Sequence, residues 1–215
     1  LFNSIKGRYG DLAEINKSLA AIYKNFGDAA LAENNFNKAE EYFVNIIKIL
    51  PDDEYSLYSL GVINFKLKRN TIAIEFLNKL SDSGIFKVKK YLTLAQIYFS
   101  NLDYKGAYSA YSKAGTVWLA DDYDELLRFA TAADKTGNTD TALVFYKKAD
   151  DLKPSIDIAK TIAELYRNQK KYLTAVEYYE KCLELKPDNL EISKELVELY
   201  LAVNNYKSAR NLIER

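Results

Sequence analysis

The sequence predicts an all-α fold, a solenoid of about six helix-turn-helix units of about 34 residues each. Three observations carry this expectation. Six alanines, Ala39, Ala73, Ala107, Ala142, Ala175 and Ala209, are spaced by 34, 34, 35, 33 and 34 residues. All three prolines, Pro51, Pro154 and Pro187, follow one of these alanines by twelve residues. Apolar residues recur around the alanines at the period of one helix face.

The spacing places the units at 20–53, 54–87, 88–121, 123–156, 156–189 and 190–215. The first helix of each unit buries one stripe. That stripe is Tyr23, Phe26, Gly27 and Ala30 in the first unit, and Leu57, Leu60, Gly61 and Asn64 in the second. It is Tyr91, Leu94, Ala95 and Tyr98 in the third, and Leu126, Phe129, Ala130 and Ala133 in the fourth. The fifth has Ala159, Ile162, Ala163 and Tyr166, and the sixth Ser193, Leu196, Val197 and Tyr200. A polar turn follows, such as Glu33-Asn34-Asn35, Lys68-Arg69-Asn70 or Lys135-Thr136-Gly137-Asn138, where Gly and Asn tolerate a left-handed backbone.

The second helix carries the anchor alanine and then Phe43 and Ile46, Leu77 and Leu80, Tyr111 and Ala114, Tyr146 and Ala149, or Tyr179 and Cys182, with Ile213 in the sixth unit. Small residues at Gly27 and Ala39 let the paired helices approach, so a leucine at either should cost ~1–3 kcal/mol by overpacking. Proline ends the second helix, since it lacks an amide hydrogen and clashes with a preceding carbonyl. The second unit lacks that proline and runs Ser81-Asp82-Ser83-Gly84 instead, while the third ends in Val117-Trp118-Leu119, where Trp118 should plug the gap between units. Residues 1–19 hold Phe2, Ile5, Tyr9, Leu12 and Ile15 at helical spacing and read as the second helix of a degenerate earlier unit. The chain starts at Leu1, has no methionine, and stops inside the second helix of its sixth unit, which reads as a fragment of a longer protein or an end covered by another chain.

At Tyr23, Phe26, Gly27 and Ala30, followed by Ala39, Phe43 and Pro51, the chain resembles the tetratricopeptide repeat family. Tyr91, Leu94, Ala95 and Tyr98, followed by Ala107, Tyr111 and Ala114, match as well, and so do Ala175, Tyr179, Cys182 and Pro187. The resemblance covers about residues 20–215. It implies a right-handed superhelix whose first helices line a concave face, and a protein–protein interaction scaffold or adaptor.

Composition excludes several other functions. Thirty Lys and Arg balance thirty Asp and Glu, against the basic excess of a general nucleic-acid binder. No apolar run is long enough to span a membrane. The composition is that of a soluble chain; the compartment stays open, with the cytoplasm preferred. There is no histidine, which removes Ser–His and Cys–His pairs and most transition-metal sites, and no glycine-rich phosphate loop. No cofactor and no catalysis are expected. The single cysteine, Cys182, reads as a small core hydrophobe. The acidic run from Asp121 to Glu125 reads as a helix N-terminus, where carboxylates cap free amides. Lys147-Lys148 and Lys170-Lys171 read as solvated faces.

Opposite the packing stripe, the first helices of units two and three are apolar where a solvated face should be polar. That face holds Tyr55, Tyr58, Ser59, Val62, Phe65 and Lys66, then Lys89, Leu92, Thr93, Gln96 and Phe99. Lys24, Lys66 and Lys89 rim it. The expected partner-binding set is Lys24, Tyr55, Tyr58, Val62, Phe65, Lys66, Lys89, Leu92, Gln96 and Phe99, holding a peptide or helix through apolar anchors while lysines steer an acidic flank. In the last three units the same phase is charged, with Asp124, Arg128, Asp134, Asp157, Lys160, Glu164, Arg167, Glu191, Lys194, Glu195 and Glu198. One subgroup of the family clamps chaperone C-terminal carboxylates with Lys, Asn and Arg side chains. Lys24 and Lys89 fit that pattern, but Asp28, Ser59 and Thr93 do not, and an aspartate repels a carboxylate. Self-association and service as the recognition arm of a larger enzyme are the alternatives.

Overall fold

The structure is a computed structural model that describes residues 2–115 and 122–214, with side chains from residue 12 onward. Trp118, Val117, Leu119 and Asp121, and the side chains of Phe2, Ile5 and Tyr9, lie outside the described residues. Two compact units divide the chain after Gly115.

The first compact unit holds α1 (Phe2–Ala32), α2 (Phe36–Ile49), α3 (Glu54–Lys66), α4 (Asn70–Asn78), α5 (Lys87–Ser100) and α6 (Tyr104–Ala114). They form three hairpins, α1 with α2, α3 with α4 and α5 with α6, and α2 packs on α3 as α4 does on α5. The second holds α7 (Tyr123–Lys135), α8 (Thr139–Leu152), α9 (Ile156–Asn168), α10 (Tyr172–Leu185), α11 (Leu190–Ala202) and α12 (Tyr206–Ile213). These are three more hairpins, with α8 against α9 and α10 against α11.

The anchor alanines are sealed in: Ala39, Ala73, Ala107, Ala142, Ala175 and Ala209 are all buried. The reason is visible at the glycines facing them. A Cβ on Gly27 would stand 2.8 Å from Cζ of Phe43, and one on Gly61 would stand 2.7 Å from Cδ2 of Leu77. Only small residues fit where a phenylalanine or leucine of the second helix fills the gap. Cys182 is buried as expected, and burial pushes its thiol up to about 11. The prolines stand just past α2, α8 and α10.

Every turn inside a hairpin has the same construction. The residue five before each anchor alanine has positive φ: Asn34, Lys68, Leu102, Gly137, Lys170 and Asn204. The next amide bonds back across the turn, from Asn35 to Ala30 at 2.8 Å, from Asp103 to Tyr98 at 2.9 Å and from Lys171 to Tyr166 at 2.9 Å. This is the Schellman closure of a helix C-terminus. Gly and Asn take the left-handed position in three hairpins, whereas Lys68, Leu102 and Lys170 take it against their preference.

Three sequence expectations are corrected here. Helix α1 runs unbroken from Phe2 to Ala32, so segment 2–19 is one rod with the first helix of the first hairpin and not a separate second helix. Phe26, expected in the core, is 54 % exposed and stacks on Tyr42 at 5.5 Å. Its counterparts Leu60, Leu94, Ile162 and Leu196 are buried because each sits behind an earlier hairpin of its own compact unit, and Phe129 is buried against Phe145 of its own hairpin. Ile213 is 69 % exposed, whereas the same slot is covered by the next hairpin at Phe43, through Tyr55, and at Tyr179, through Glu195.

Without a proline, the second hairpin closes by other means. Helix α4 ends at Asn78, and the buried Lys90 donates to the Leu80 carbonyl at 2.8 Å and to Asp82 at 2.6 Å. The loop is pinned by a charge in a slot that holds Ile158 and Ile192 in later hairpins.

Candidate functional site

Helices α3 and α5 lie side by side and line a shallow cavity of 210 Å³. Its walls are Tyr58, Val62, Phe65 and Lys66 from α3, and Lys89, Leu92, Thr93 and Gln96 from α5. Period explains the pairing. Tyr58, Val62 and Phe65 share one face of α3, and Lys89, Leu92 and Gln96 share one face of α5, each opposite the residues used for packing. Asp53 starts α3 by accepting from the Ser56 amide at 2.8 Å, which fixes the phase of that face.

Phe86 stacks beneath Tyr58 with ring centroids 5.3 Å apart. Lys89 stands 5.9 Å from the Tyr58 ring and 5.8 Å from Phe86, so an ammonium rims two aromatic faces. Sequence reasoning missed Phe86, because it sits in the irregular loop before α5, where no periodicity marks it.

The other expected site residues are placed differently. Lys24 lies 3.9 Å over the Tyr55 ring and 2.6 Å from Asp28, and the Tyr55 hydroxyl donates to Asp28 at 2.6 Å. The Asp28 hydrogen bond holds the Lys24 ammonium above its ordinary 10.5, and burial raises the Tyr55 phenol. Lys24 and Tyr55 therefore close a clasp between α1 and α3 and do not line the cavity. Phe99 turns toward its own hairpin and meets Tyr104 edge-on at 5.6 Å. Ser59 is buried, and Thr93, also buried, donates its hydroxyl to the Lys89 carbonyl at 2.9 Å.

In the second compact unit the charged face satisfies itself. Lys160 reaches Glu191 at 2.5 Å, Glu195 at 3.8 Å and Glu164 at 3.9 Å. Arg167 reaches Glu195 at 3.2 Å, and the Tyr179 hydroxyl donates to the same carboxylate. The Lys160 hydrogen bond holds the Glu191 carboxyl below its ordinary 4.5. Asp122 caps α7 through the Glu125 amide at 3.1 Å, as its position in the acidic run implies. Lys147, expected to be solvated, instead lies 4.9 Å over the Tyr166 ring and 5.8 Å over Tyr178. The buried Asp150 holds Lys181 at 2.5 Å and accepts from the Ser155 amide at 3.2 Å, a contact no sequence pattern announced.

Among the described residues no group of three or more His, Cys, Asp or Glu could hold a metal ion, and no helix is long and apolar enough to cross a membrane.

Comparison with known proteins agrees with this architecture. Sequence models described as tetratricopeptide repeat match residues 24–84 and 166–215, together half of the chain. A BBSome complex member BBS4 homolog of Drosophila melanogaster is 25 % identical over 169 residues, 74 % of this chain and 35 % of that protein. Protein O-mannosyl-transferase Tmtc3 of the same organism is 31 % identical over 81 residues, 38 % of this chain and 9 % of that protein. The chain thus spans about a third or less of the length of these relatives. Among solved structures, MamA protein superposes with a TM-score of 0.63 at 23 % identity, covering 81 % of this chain and 96 % of that one. YrrB, described as a TPR protein with an unusual peptide-binding site, gives 0.66 at 17 % identity, covering 92 % and 97 %. These likenesses are to the fold. The anchor alanines, the small-residue contacts, the repeated hairpins and the matched repeats make this chain a member of the tetratricopeptide repeat family.

Proposed function

We propose that the chain is an adaptor that captures a partner segment on the face formed by α3 and α5. The fold is that of a protein–protein interaction scaffold, and proteins of this family are generally non-enzymatic. The observation that carries the finer reading is the cavity between Tyr58, Val62, Phe65 and Leu92, rimmed by Lys66 and Lys89. A volume of 210 Å³ takes one or two apolar side chains and not a whole helix. The ligand is therefore a peptide, extended or helical, that inserts a bulky apolar anchor and carries acidic residues beside it. Lys66 and Lys89 both line this face, and Lys89 covers aromatic rings, so both can meet carboxylates. Lys24 contributes little steering, because Asp28 neutralises it.

The experiment is selection of short peptides from a random display library on the folded chain, followed by titration. Enrichment of an apolar anchor flanked by Asp or Glu is expected. Tyr58→Ser with Leu92→Ser should weaken the selected peptide at least tenfold with unchanged circular dichroism. Equal affinity for the double variant would remove the α3–α5 face from the reading.

A further inference from the structure

A second surface lies on α1. Leu12, Ile15, Leu19, Ile22 and Phe26 are spaced by 3, 4, 3 and 4 residues and are 52 %, 60 %, 37 %, 51 % and 54 % exposed. That alternation over two heptads is the seam of a left-handed helix pair, and the stripe spans about 21 Å of helix at ~1.5 Å per residue. Five large apolar side chains in one exposed row exceed what a solvated helix face carries.

The inter-hairpin packing seen elsewhere accounts for only part of this stripe. The slots of Ile22 and Phe26 are buried in the five later hairpins, by Ser56 and Leu60 in the second and by Ile192 and Leu196 in the sixth. A second helix of hairpin type would cover those two. Leu12, Ile15 and Leu19 lie further out: the counterparts of Leu19 in α3, α7, α9 and α11 are the N-cap residues Asp53, Asp122, Ser155 and Asn189. With 31 residues against 13 or 14 in the other first helices, α1 projects beyond the hairpin footprint and needs a partner that runs along it.

We propose that α1 pairs with α1 of a second copy of this chain, antiparallel and about a two-fold axis at Leu19. The stripe is nearly self-complementary in shape, since this pairing sets Leu12 level with Phe26 and Ile15 within one residue of Ile22. It is also self-compatible in charge. Asn16, Ser18 and Asn25 flank it, and the chain has no net charge to repel a copy. Among the described residues, Glu14 borders the same surface as Ile15, Ser18, Leu19 and Ile22. A parallel pair would bring the two Glu14 carboxylates to the same level. The antiparallel pair sets them ten residues apart along the seam, about 15 Å and beyond the screening length at physiological salt. It also sends the two repeat arrays to opposite ends of the seam. An isologous contact of this kind closes as a dimer and does not propagate.

The test reads the oligomeric state and the register separately. Sedimentation velocity on the full chain should show a monomer–dimer equilibrium with half-dimerisation at about 10–100 μM, the weak end of specific contacts for a seam of two heptads. Leu19→Glu with Ile22→Glu should be a monomer with unchanged helicity. Leu19→Cys should cross-link to a dimer under mild oxidation, because the two-fold axis brings it onto its own copy. The native Cys182 is buried and stays silent. Ile85→Cys, 87 % exposed in the loop before α5, reports random collision. A strict monomer at the highest concentration, leaving the stripe to another helix, overturns the proposal. So does a dimer that survives the double glutamate variant, or cross-linking at Leu19 no faster than at Ile85. Cross-linking of Leu12→Cys as readily as Leu19→Cys overturns the antiparallel register. Peptide capture on α3 and α5 is measured independently, so failure here leaves that reading standing.

Discussion

Replacing Leu102 with glycine should stabilise the protein. Leu102 has φ of 61°, where an L-residue other than Gly or Asn is disfavoured by roughly 1–2 kcal/mol. Its side chain is 70 % exposed, so its removal sacrifices little burial. Its amide and that of Asp103 close the turn onto Phe99 and Tyr98 at 3.0 and 2.9 Å, and glycine keeps both bonds. Glycine's freedom in the unfolded chain costs about 0.5–1 kcal/mol. The net expectation is a gain of about 0.5–1 kcal/mol, read in urea as a midpoint higher by about 0.2–0.5 M at unchanged slope. Gly137 holds the equivalent position at φ of 77°, and a Cβ there meets nothing within 4 Å. Gly137→Ala therefore tests backbone strain without a clash, and its midpoint should fall. A Leu102→Gly midpoint below wild type would refute the assignment of strain to that turn.

Further outcomes follow from single contacts. Phe43→Ala removes a fully buried ring against Gly27 and should cost about 3–5 kcal/mol in urea unfolding. Lys90→Ile puts into the third hairpin the residue type that later hairpins carry; global stability should hold or rise, while limited proteolysis between Ser81 and Phe86 should quicken. Asp82 bonds Lys90, which holds its carboxyl below the ordinary 3.8; this stabilisation is present above 3.8 and lost as pH falls through the lower folded value, so an NMR titration of Asp82 should have its midpoint below that of Asp82 in Lys90→Ile. The Cys182 thiol is raised from 9.0 to about 11 by burial, so its contribution is complete below pH 9.0 and disappears as pH rises toward 11; at pH 8 a thiol reagent should react only at the rate of opening.

The parts of this fold readable from sequence are those where sterics choose the residue type. An alanine every 34 residues marks where two helices touch, and Gly27 and Gly61 mark where a larger side chain from the facing helix fills the gap. Cavity residues Tyr58, Val62 and Leu92 were readable for the complementary reason, since a helix with its packing stripe assigned leaves one face to explain. Exposure at Phe26 and Ile213 was not readable, because it depends on which hairpin stands next to them and not on their own type. Nor were Lys24 and Tyr55, whose clasp through Asp28 joins residues 27 apart in sequence. Phe99 shares the phase of Leu92 and Gln96 closely enough to look like a groove residue, yet its ring swings to Tyr104. Lys68, Leu102 and Lys170 gave no left-handed signal, because hydrogen bonds across the turn impose that conformation whatever the side chain.

The most direct measurement is an NMR map of a selected anchor peptide bound to the folded chain. Shifts concentrated at Val62, Phe65, Lys89 and Leu92, with α2, α4 and α6 silent, are the predicted result. Shifts confined to the second helices, or to the ion-paired face around Lys160 and Glu195, would contradict it.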